Sequence, residues 1–162
     1  AAARRAATGQ ALAQLVEPST RALSFSASLL EDMAVPLLAH SVGSRYSEIL
    51  DAWHHGEGDL YALESSEFGW THASVASWLC STWHLPEILS EAIAAHHPCE
   101  DQSELRCPIA VRLSACLGEE DGQGVDELVS LARDECGLAE DRVLEVLEGA
   151  AERAEELSLL FG

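Results

Sequence analysis

The chain has 162 residues, of which 28 are acidic and 9 are basic, so its formal net charge is -19. Such a negative field repels phosphate backbones and argues against direct nucleic-acid binding. Hydrophobic residues make up 48% of the sequence, which is enough for one folded domain with a buried core. No secretory signal and no run of about 18 uninterrupted apolar residues is found, so we expect a cytoplasmic protein without a membrane span.

The first part of the chain predicts two helices. Pro18 ends a helix that covers about Ala3 to Val16, because proline has no N–H to donate and clashes with the preceding turn. Ser19 or Thr20 can cap the next helix. That second helix is expected from about Arg21 to His40, with a kink or break at Pro36.

The middle of the chain predicts short helices between turn residues. The segments RYSEILDAWHHG and DLYALESSEFG are amphipathic and are separated by two glycines that end the first of them. Thr71 caps HASVASWLCSTWHL, in which Trp78 and Trp83 are expected to pack inward. Pro86 lies in the first turn of PEILSEAIAAHH, where its missing N–H costs nothing.

The last part of the chain predicts three more helices, the first beginning near Pro108. The final one is long and is expected to face inward through Val143, Leu144, Leu147, Ala150, Ala154 and Leu157. Alternating Val/Ile/Thr segments typical of strands are absent throughout. The sequence therefore predicts an all-α, compact multi-helix bundle of about eight or nine helices.

The cysteines do not suggest a metal or disulfide framework. There are five of them, no CxxC pair occurs, and only Cys99 lies near histidines. No second ligand pair follows it, so a structural zinc site is not predicted there. We expect reduced thiols, most of them small core residues: Cys80, Cys99, Cys107, Cys116 and Cys136.

The residues that could carry chemistry are histidines and one carboxylate pair. The segment LLEDMA places adjacent carboxylates in an apolar helix, where burial would require a compensating partner. Histidine is the commonest metal ligand, and carboxylates can join it. The candidate site residues are Glu31, Asp32, His72, His96 and His97. Their spacing leaves open whether they converge as a metal site, form a catalytic pair, or lie on the surface.

The order of these features resembles a known family. The segment SFSASLLEDMAVPLLA is similar to the His-Asp helix of HD-type domains, and FGWTHASVASWLCSTWHLPEILSEAIAAHH closely resembles a run characteristic of the HDOD family. The similarity extends from about Ala6 to Gly162. It implies that residues 1–162 form an HD-like helical domain, the C-terminal part of a longer HDOD region, with a role in bacterial signal transduction.

The resemblance also assigns positions to the candidate residues. HD-type phosphohydrolases bind one or two metal ions through an upstream His, the His-Asp pair and a later Asp, and the HD-GYP phosphodiesterases of cyclic di-GMP add a single His and a His-His doublet. Glu31 falls on the His of the pair and Asp32 on its Asp, while the later Asp falls near Ser114 or Ala115. The upstream His would lie at or before Ala1 to Arg5, where none exists.

Three of the family's metal ligands are therefore missing, and the His72 and His96-His97 positions remain. The resemblance implies a non-catalytic regulatory module with no catalytic residue, no metal and no cofactor. It would contact a protein partner or a fused signalling domain, and its acidic surface favours a basic partner. The histidines would hydrogen-bond carboxylates such as Glu31, Asp32, Glu64 or Glu67.

Two other functions and the oligomeric state remain open at this stage. The first alternative is a sensor of a small ligand such as a nucleotide, which would use the vestigial pocket. The second is a metal-dependent phosphohydrolase with a site rearranged around the same five residues.

Overall fold

The computed structural model describes residues 1–97, 106–118 and 122–161. These ranges are helical and contain no β-strand, which confirms the predicted all-α class. A short 3-10 turn, Pro18–Thr20, joins the first two helices. The α-helices are α1 (Ala2–Val16), α2 (Arg21–Leu30), α3 (Ala34–Val42), α4 (Ser44–His54), α5 (Leu60–Phe68), α6 (His72–Thr82), α7 (Glu87–Ala94), α8 (Ile109–Ala115), α9 (Val125–Cys136) and α10 (Glu140–Phe161).

The predicted helix from Arg21 to His40 is two helices, and the break does not fall at Pro36. It falls at a turn formed by residues 31–33, while Pro36 lies in the first turn of α3, where no N–H is required. The N–H of Met33 donates to the C=O of Leu30 at 3.0 Å, which continues the chain tightly from α2 into α3. The two adjacent carboxylates therefore lie in a turn between helices.

This break also bears on membrane topology. The stretch Pro18–Val42 has the length and hydropathy, 1.3, of a candidate membrane-spanning helix by composition alone. Buried core helices and signal sequences meet the same criterion. In the structure the stretch comprises the 3-10 turn, α2 and α3, with Glu31 and Asp32 between the two helices.

Two apolar clusters build the core. One is centred on α2, α3, α6 and α7 and buries Ala27, Ala76 and Ile93. The other is formed by α1, α8, α9 and α10 and buries Leu12 and Val143. Helix α1 packs against α2, α8 and α10, so its side chains reach the region between the two clusters.

The close approach of α1 to α2 requires a glycine. A Cβ atom at Gly9 would lie 2.5 Å from Ser28 Oγ and 3.2 Å from Ser114 Oγ. Both serines are buried, and their hydroxyl groups bond each other at 2.6 Å. This contact joins α2 to α8 where α1 packs against both helices.

Several large side chains are more exposed than the sequence predicted. Trp78 is 64% exposed and Trp83 is 55% exposed, so the predicted inward stripe of α6 is wrong for both. Leu144 is 39% exposed, whereas Val143 and Ala150 are buried as expected. The inward faces of α6 and α10 are narrower than predicted because small residues, such as Ala76 and Ala150, form much of the contact.

Candidate metal centre

The structure brings four of the five candidate residues together. Asp32, His72, His96 and His97 each present one ligand atom, and these atoms all lie within 4.8 Å of one another. Glu31 is adjacent and lines the same cavity without belonging to this group. The convergence that sequence spacing left open is therefore a feature of the fold.

His72 is placed by the start of α6. Thr71 Oγ1 accepts from the N–H of Ser74, and Ser74 Oγ accepts from the N–H of Thr71, so a complete capping box begins the helix there. The backbone N–H and the Nδ1 of His72 both bond Glu64 Oε2 at 2.7 Å. Tyr46 donates its hydroxyl proton to Glu64 Oε1, so this carboxylate is held from both sides.

These bonds fix the tautomer of His72. A carboxylate that already receives two protons from other donors acts as an acceptor, so the Nδ1 of His72 carries the proton that it donates to Glu64. In the neutral ring with this tautomer, the Nε2 of His72 is the acceptor, and it is directed into the centre. A carboxylate behind a histidine ring is the arrangement that orients metal-binding imidazoles.

His96 has the same tautomer for a different reason. Its Nδ1 lies 2.6 Å from the C=O of Ile93, and a carbonyl can only accept, so Nδ1 carries the proton. Burial lowers the pKa of His96 to about 4, although Asp32 acts in the opposite direction. Burial also lowers the pKa of His97. At neutral pH both rings are uncharged and offer lone pairs.

The ligand atoms have the spacing of a coordination site. His72 Nε2 lies 3.0 Å from His97 Nε2 and 3.4 Å from His96 Nε2. Asp32 Oδ1 lies 3.4 Å from His72 Nε2 and 3.8 Å from His96 Nε2. In tetrahedral sites with metal–ligand distances of about 2.0–2.1 Å, ligand atoms are about 3.3–3.4 Å apart.

Asp32 is held by a residue that the sequence analysis did not identify. Nη1 of Arg5 donates to Asp32 Oδ2, which leaves Oδ1 facing the histidines. Arg5 is 6% exposed, and its Nε donates to the C=O of Leu117 at 2.7 Å. Burial by itself would raise the pKa of Asp32, but Arg5 and the nearby His96 and His72 outweigh it and lower that pKa. The carboxylate is thus ionised and oriented.

Glu31 differs from its neighbour. It is 1% exposed, and neither carboxyl oxygen has a hydrogen-bond partner among the described residues. Burial, and then the charge of Asp32, raises the pKa of Glu31 well above 4.5, while Arg5 at 3.7 Å acts against this. The expectation that histidines would compensate both carboxylates is wrong for Glu31. Its nearby opposite charge comes from Arg5.

The other positions implied by the resemblance can also be located. Ser114, near which the later Asp would fall, is buried and bonded to Ser28. The predicted hydrogen bond from a histidine to Glu64 is confirmed, whereas Glu67 pairs with Arg45 at 2.5 Å. Cys99 lies outside the described residues; Cys80, Cys107, Cys116 and Cys136 are free thiols.

The centre opens onto a cavity of about 760 Å³. Its lining includes Trp53, Tyr61 and Arg112 in addition to the candidate residues. Imidazole nitrogens with one carboxylate suit Zn²⁺ and other borderline divalent ions. A metal ion held by four protein ligands is typical of a closed structural or regulatory site, whereas a catalytic ion keeps an open position for water.

Comparisons with known proteins agree with this description. The family model described as HDOD domain matches residues 1–99, which include all five candidate residues and Arg5. No curated protein and no solved structure matches the chain. HDOD is a family generally considered non-catalytic. Because the matched range covers more than half of the 162 residues, the chain belongs to the HDOD domain family.

Proposed function

We propose that this HDOD domain is a non-catalytic regulatory module of bacterial signal transduction, which acts in the cytoplasm through contacts with a protein partner or a fused signalling domain. The observation that carries the proposal is the state of the carboxylate pair. Asp32 is bound to Arg5, and Glu31 stands where HD-type enzymes have a histidine. A hydrolytic centre needs an ion with an open position that activates water, and the described side chains around Asp32 favour a closed one.

The charge of the chain supports a partner with a basic surface. With 28 acidic and 9 basic residues, its field accelerates encounter with positively charged surfaces and disfavours polyanions. Such an encounter weakens as salt screens it. Cross-linking in intact cells, followed by binding measurements over a range of salt concentrations, tests this part. A cross-linked partner whose affinity is independent of salt contradicts the electrostatic proposal.

A hydrolysis assay tests the non-catalytic proposal directly. We expect no turnover of cyclic dinucleotides or nucleotide phosphates by the purified protein with Mn²⁺, Fe²⁺, Ni²⁺ or Zn²⁺. The variant His96→Ala/His97→Ala identifies any contaminating activity, because it removes two of the four converging ligand atoms. Turnover by the wild-type protein that this variant lacks would overturn the proposal.

Metal binding is a second candidate function, favoured by the three Nε2 atoms that meet beside Asp32 Oδ1. It departs from the sequence-based prediction of an empty centre, which stays untested. Lone pairs that face one another at 3.0–3.4 Å repel unless a cation or a proton lies between them. We propose that one Zn²⁺, or another borderline divalent ion, binds to Asp32, His72, His96 and His97.

The chain provides a matched control for this second candidate. His54 and His55 form another histidine doublet, but both are exposed and neither belongs to the converging group. We expect elemental analysis to find about one ion per wild-type chain. The ion should be lost from His96→Ala/His97→Ala and retained by His54→Ala/His55→Ala. Equal metal content in both variants contradicts this assignment.

The cavity is the observation that favours a role as a small-ligand sensor. Its volume of about 760 Å³ lies within the usual range of ligand pockets, and Arg112, which is ion-paired with Glu135, lies in its wall. A ligand that binds the folded state raises the melting temperature. A thermal-shift screen with nucleotides tests this role, and the absence of any shift at millimolar concentration contradicts it.

A further inference from the structure

Arg5 occupies an unusual place beside the candidate metal centre. We propose that its guanidinium group fills a second cation position, so that the centre takes one metal ion where two cations would otherwise bind. This inference rests on the metal-binding proposal above. Arg5 would thus limit the number of metal ions that the centre binds.

Asp32 connects the two cation positions. Its Oδ2 accepts from Arg5 Nη1, and its Oδ1 faces His72 Nε2 at 3.4 Å. A carboxylate that uses one oxygen for each of two cations is the bridge expected in two-metal sites, where the ions are about 3.5–4 Å apart. In this protein one end of the bridge is an arginine side chain.

Glu31 supplies the second, independent observation. It is 1% exposed, lines the cavity, and has no hydrogen-bond partner on either oxygen. Arg5 Nε lies 3.7 Å from Glu31 Oε1, but its proton is directed to the C=O of Leu117. The guanidinium therefore compensates Glu31 by charge alone. A metal ion in the same place could bond both Glu31 and Asp32, which are hard oxygen ligands.

The presence of an arginine side chain in place of a second metal ion has a functional consequence. A guanidinium carries a permanent charge but has no coordination position, so it cannot bind and activate a water molecule. Arg5 would supply the positive charge that the two carboxyl groups require and would prevent formation of a second metal position. A centre of this kind binds an ion without gaining the two-metal arrangement used for phosphate hydrolysis.

The test is the metal stoichiometry of purified proteins after equilibrium dialysis against Mn²⁺ or Zn²⁺. We expect about one ion per chain in the wild-type protein and about two in Arg5→Ala. Arg4→Ala is the matched control, because Arg4 lies on the same helix and donates to the C=O of Gly118; its content should stay at that of the wild type. The variant Arg5→Ala/Glu31→Gln should return to about one ion.

EPR spectroscopy tests whether the second ion binds next to the first. Two Mn²⁺ ions bridged by Asp32 would give an exchange-coupled EPR signal in Arg5→Ala, and this signal should be absent from the wild-type protein and from Arg4→Ala. If Arg5→Ala does not fold, the EPR spectrum of the wild-type protein at excess Mn²⁺ still tests the inference. A coupled pair in the presence of Arg5 overturns the inference, whereas saturation at one uncoupled ion supports it.

The outcomes separate the two proposals. An absence of bound metal from the wild-type protein contradicts the metal-binding proposal, and the inference falls with it. One ion in both the wild-type protein and a folded Arg5→Ala contradicts only the inference about Arg5. A second ion that persists in Arg5→Ala/Glu31→Gln also overturns it, because that ion would not depend on Glu31.

Discussion

The two sides of the centre are organised by different interactions. On the histidine side, formed by His72, His96 and His97, hydrogen bonds to Glu64 and to the C=O of Ile93 orient the rings of His72 and His96. On the carboxylate side, formed by Glu31 and Asp32, one buried guanidinium serves two acidic groups. Donors and acceptors are matched behind the rings of His72 and His96, whereas on the carboxylate side Arg5 bonds Asp32 and leaves Glu31 without a hydrogen bond.

This difference shows where the stability of the centre is most sensitive. On the histidine side, removing a donor leaves one acceptor unpaired, whereas removing Arg5 leaves two carboxyl groups without their counter-charge. The carboxylate side should therefore respond more strongly to substitution and to pH. The following predictions test that order, beginning with the largest effect.

The substitution Arg5→Met should cause the largest loss. It keeps the length of the side chain but removes the cation beside buried Glu31 and partly exposed Asp32, and breaking a buried charge pair costs up to about 3–5 kcal/mol. Urea unfolding of the metal-free protein at neutral pH measures this difference. Arg4→Met, on the same helix, is the control and should lose less. Equal losses in the two variants would show that Arg5 is not a special counter-charge.

The substitution Tyr46→Phe tests the histidine side. It removes the hydroxyl that donates to Glu64 Oε1, and an unpaired buried acceptor costs about 1–3 kcal/mol. A double-mutant cycle with Glu64→Ala should show strong coupling, since each change removes one partner of the same bond. Additive losses would mean that the hydroxyl stabilises the fold without acting through Glu64.

The pH dependence of stability tests the raised pKa of Glu31. Above pH 4.5 the unfolded chain releases the proton of this residue, while the folded protein retains it until its higher pKa is reached. The folded state then binds more protons than the unfolded state, so stability falls as pH rises, by about 1.4 kcal/mol per pH unit within that window.

A substitution isolates this effect. Glu31→Gln should remove that slope, whereas Glu48→Gln, at an exposed position on α4, should retain it. Urea unfolding at several pH values above 4.5 gives the comparison. A slope that persists in Glu31→Gln would assign it to another group.

The smallest effect is expected at the hydroxyl pair of Ser28 and Ser114, which joins α2 to α8. Each single substitution to alanine should cost about 0.5–1.5 kcal/mol, the usual net contribution of one intramolecular hydrogen bond. The double variant should cost less than the sum of the two. Thermal unfolding of the three variants measures this, and a double variant that costs the full sum would contradict a direct bond.

Part of this centre was predictable from the sequence. The resemblance selected Asp32, His72, His96 and His97, and these four residues do converge. Arg5 was not selected because arginine is not a metal ligand and lies 27 residues before its partner. Only the helix at the start of the chain, folded back against α2, brings the guanidinium to the carboxylate pair.

The helix boundaries show the same limit. Pro36 marked a plausible break in the second predicted helix, but the turn falls at residues 31–33, where Asp32 is bonded to Arg5 and lies beside the histidines. Proline fits the first helical turn without penalty, so its presence fixes no break by itself. The exposed Trp78 and Trp83 likewise show that an apolar stripe does not define which side of a helix has a neighbour.

The sequence by itself determined the all-α class, the caps such as Thr71, and the ligand types available to a site, because these depend on local propensity and residue chemistry. Tertiary structure decided which of those residues meet. It set the tautomers of His72 and His96 through Glu64 and Ile93, and it placed one cation between two carboxyl groups. Those properties depend on distances between segments far apart in the chain, which only packing of the helices can fix.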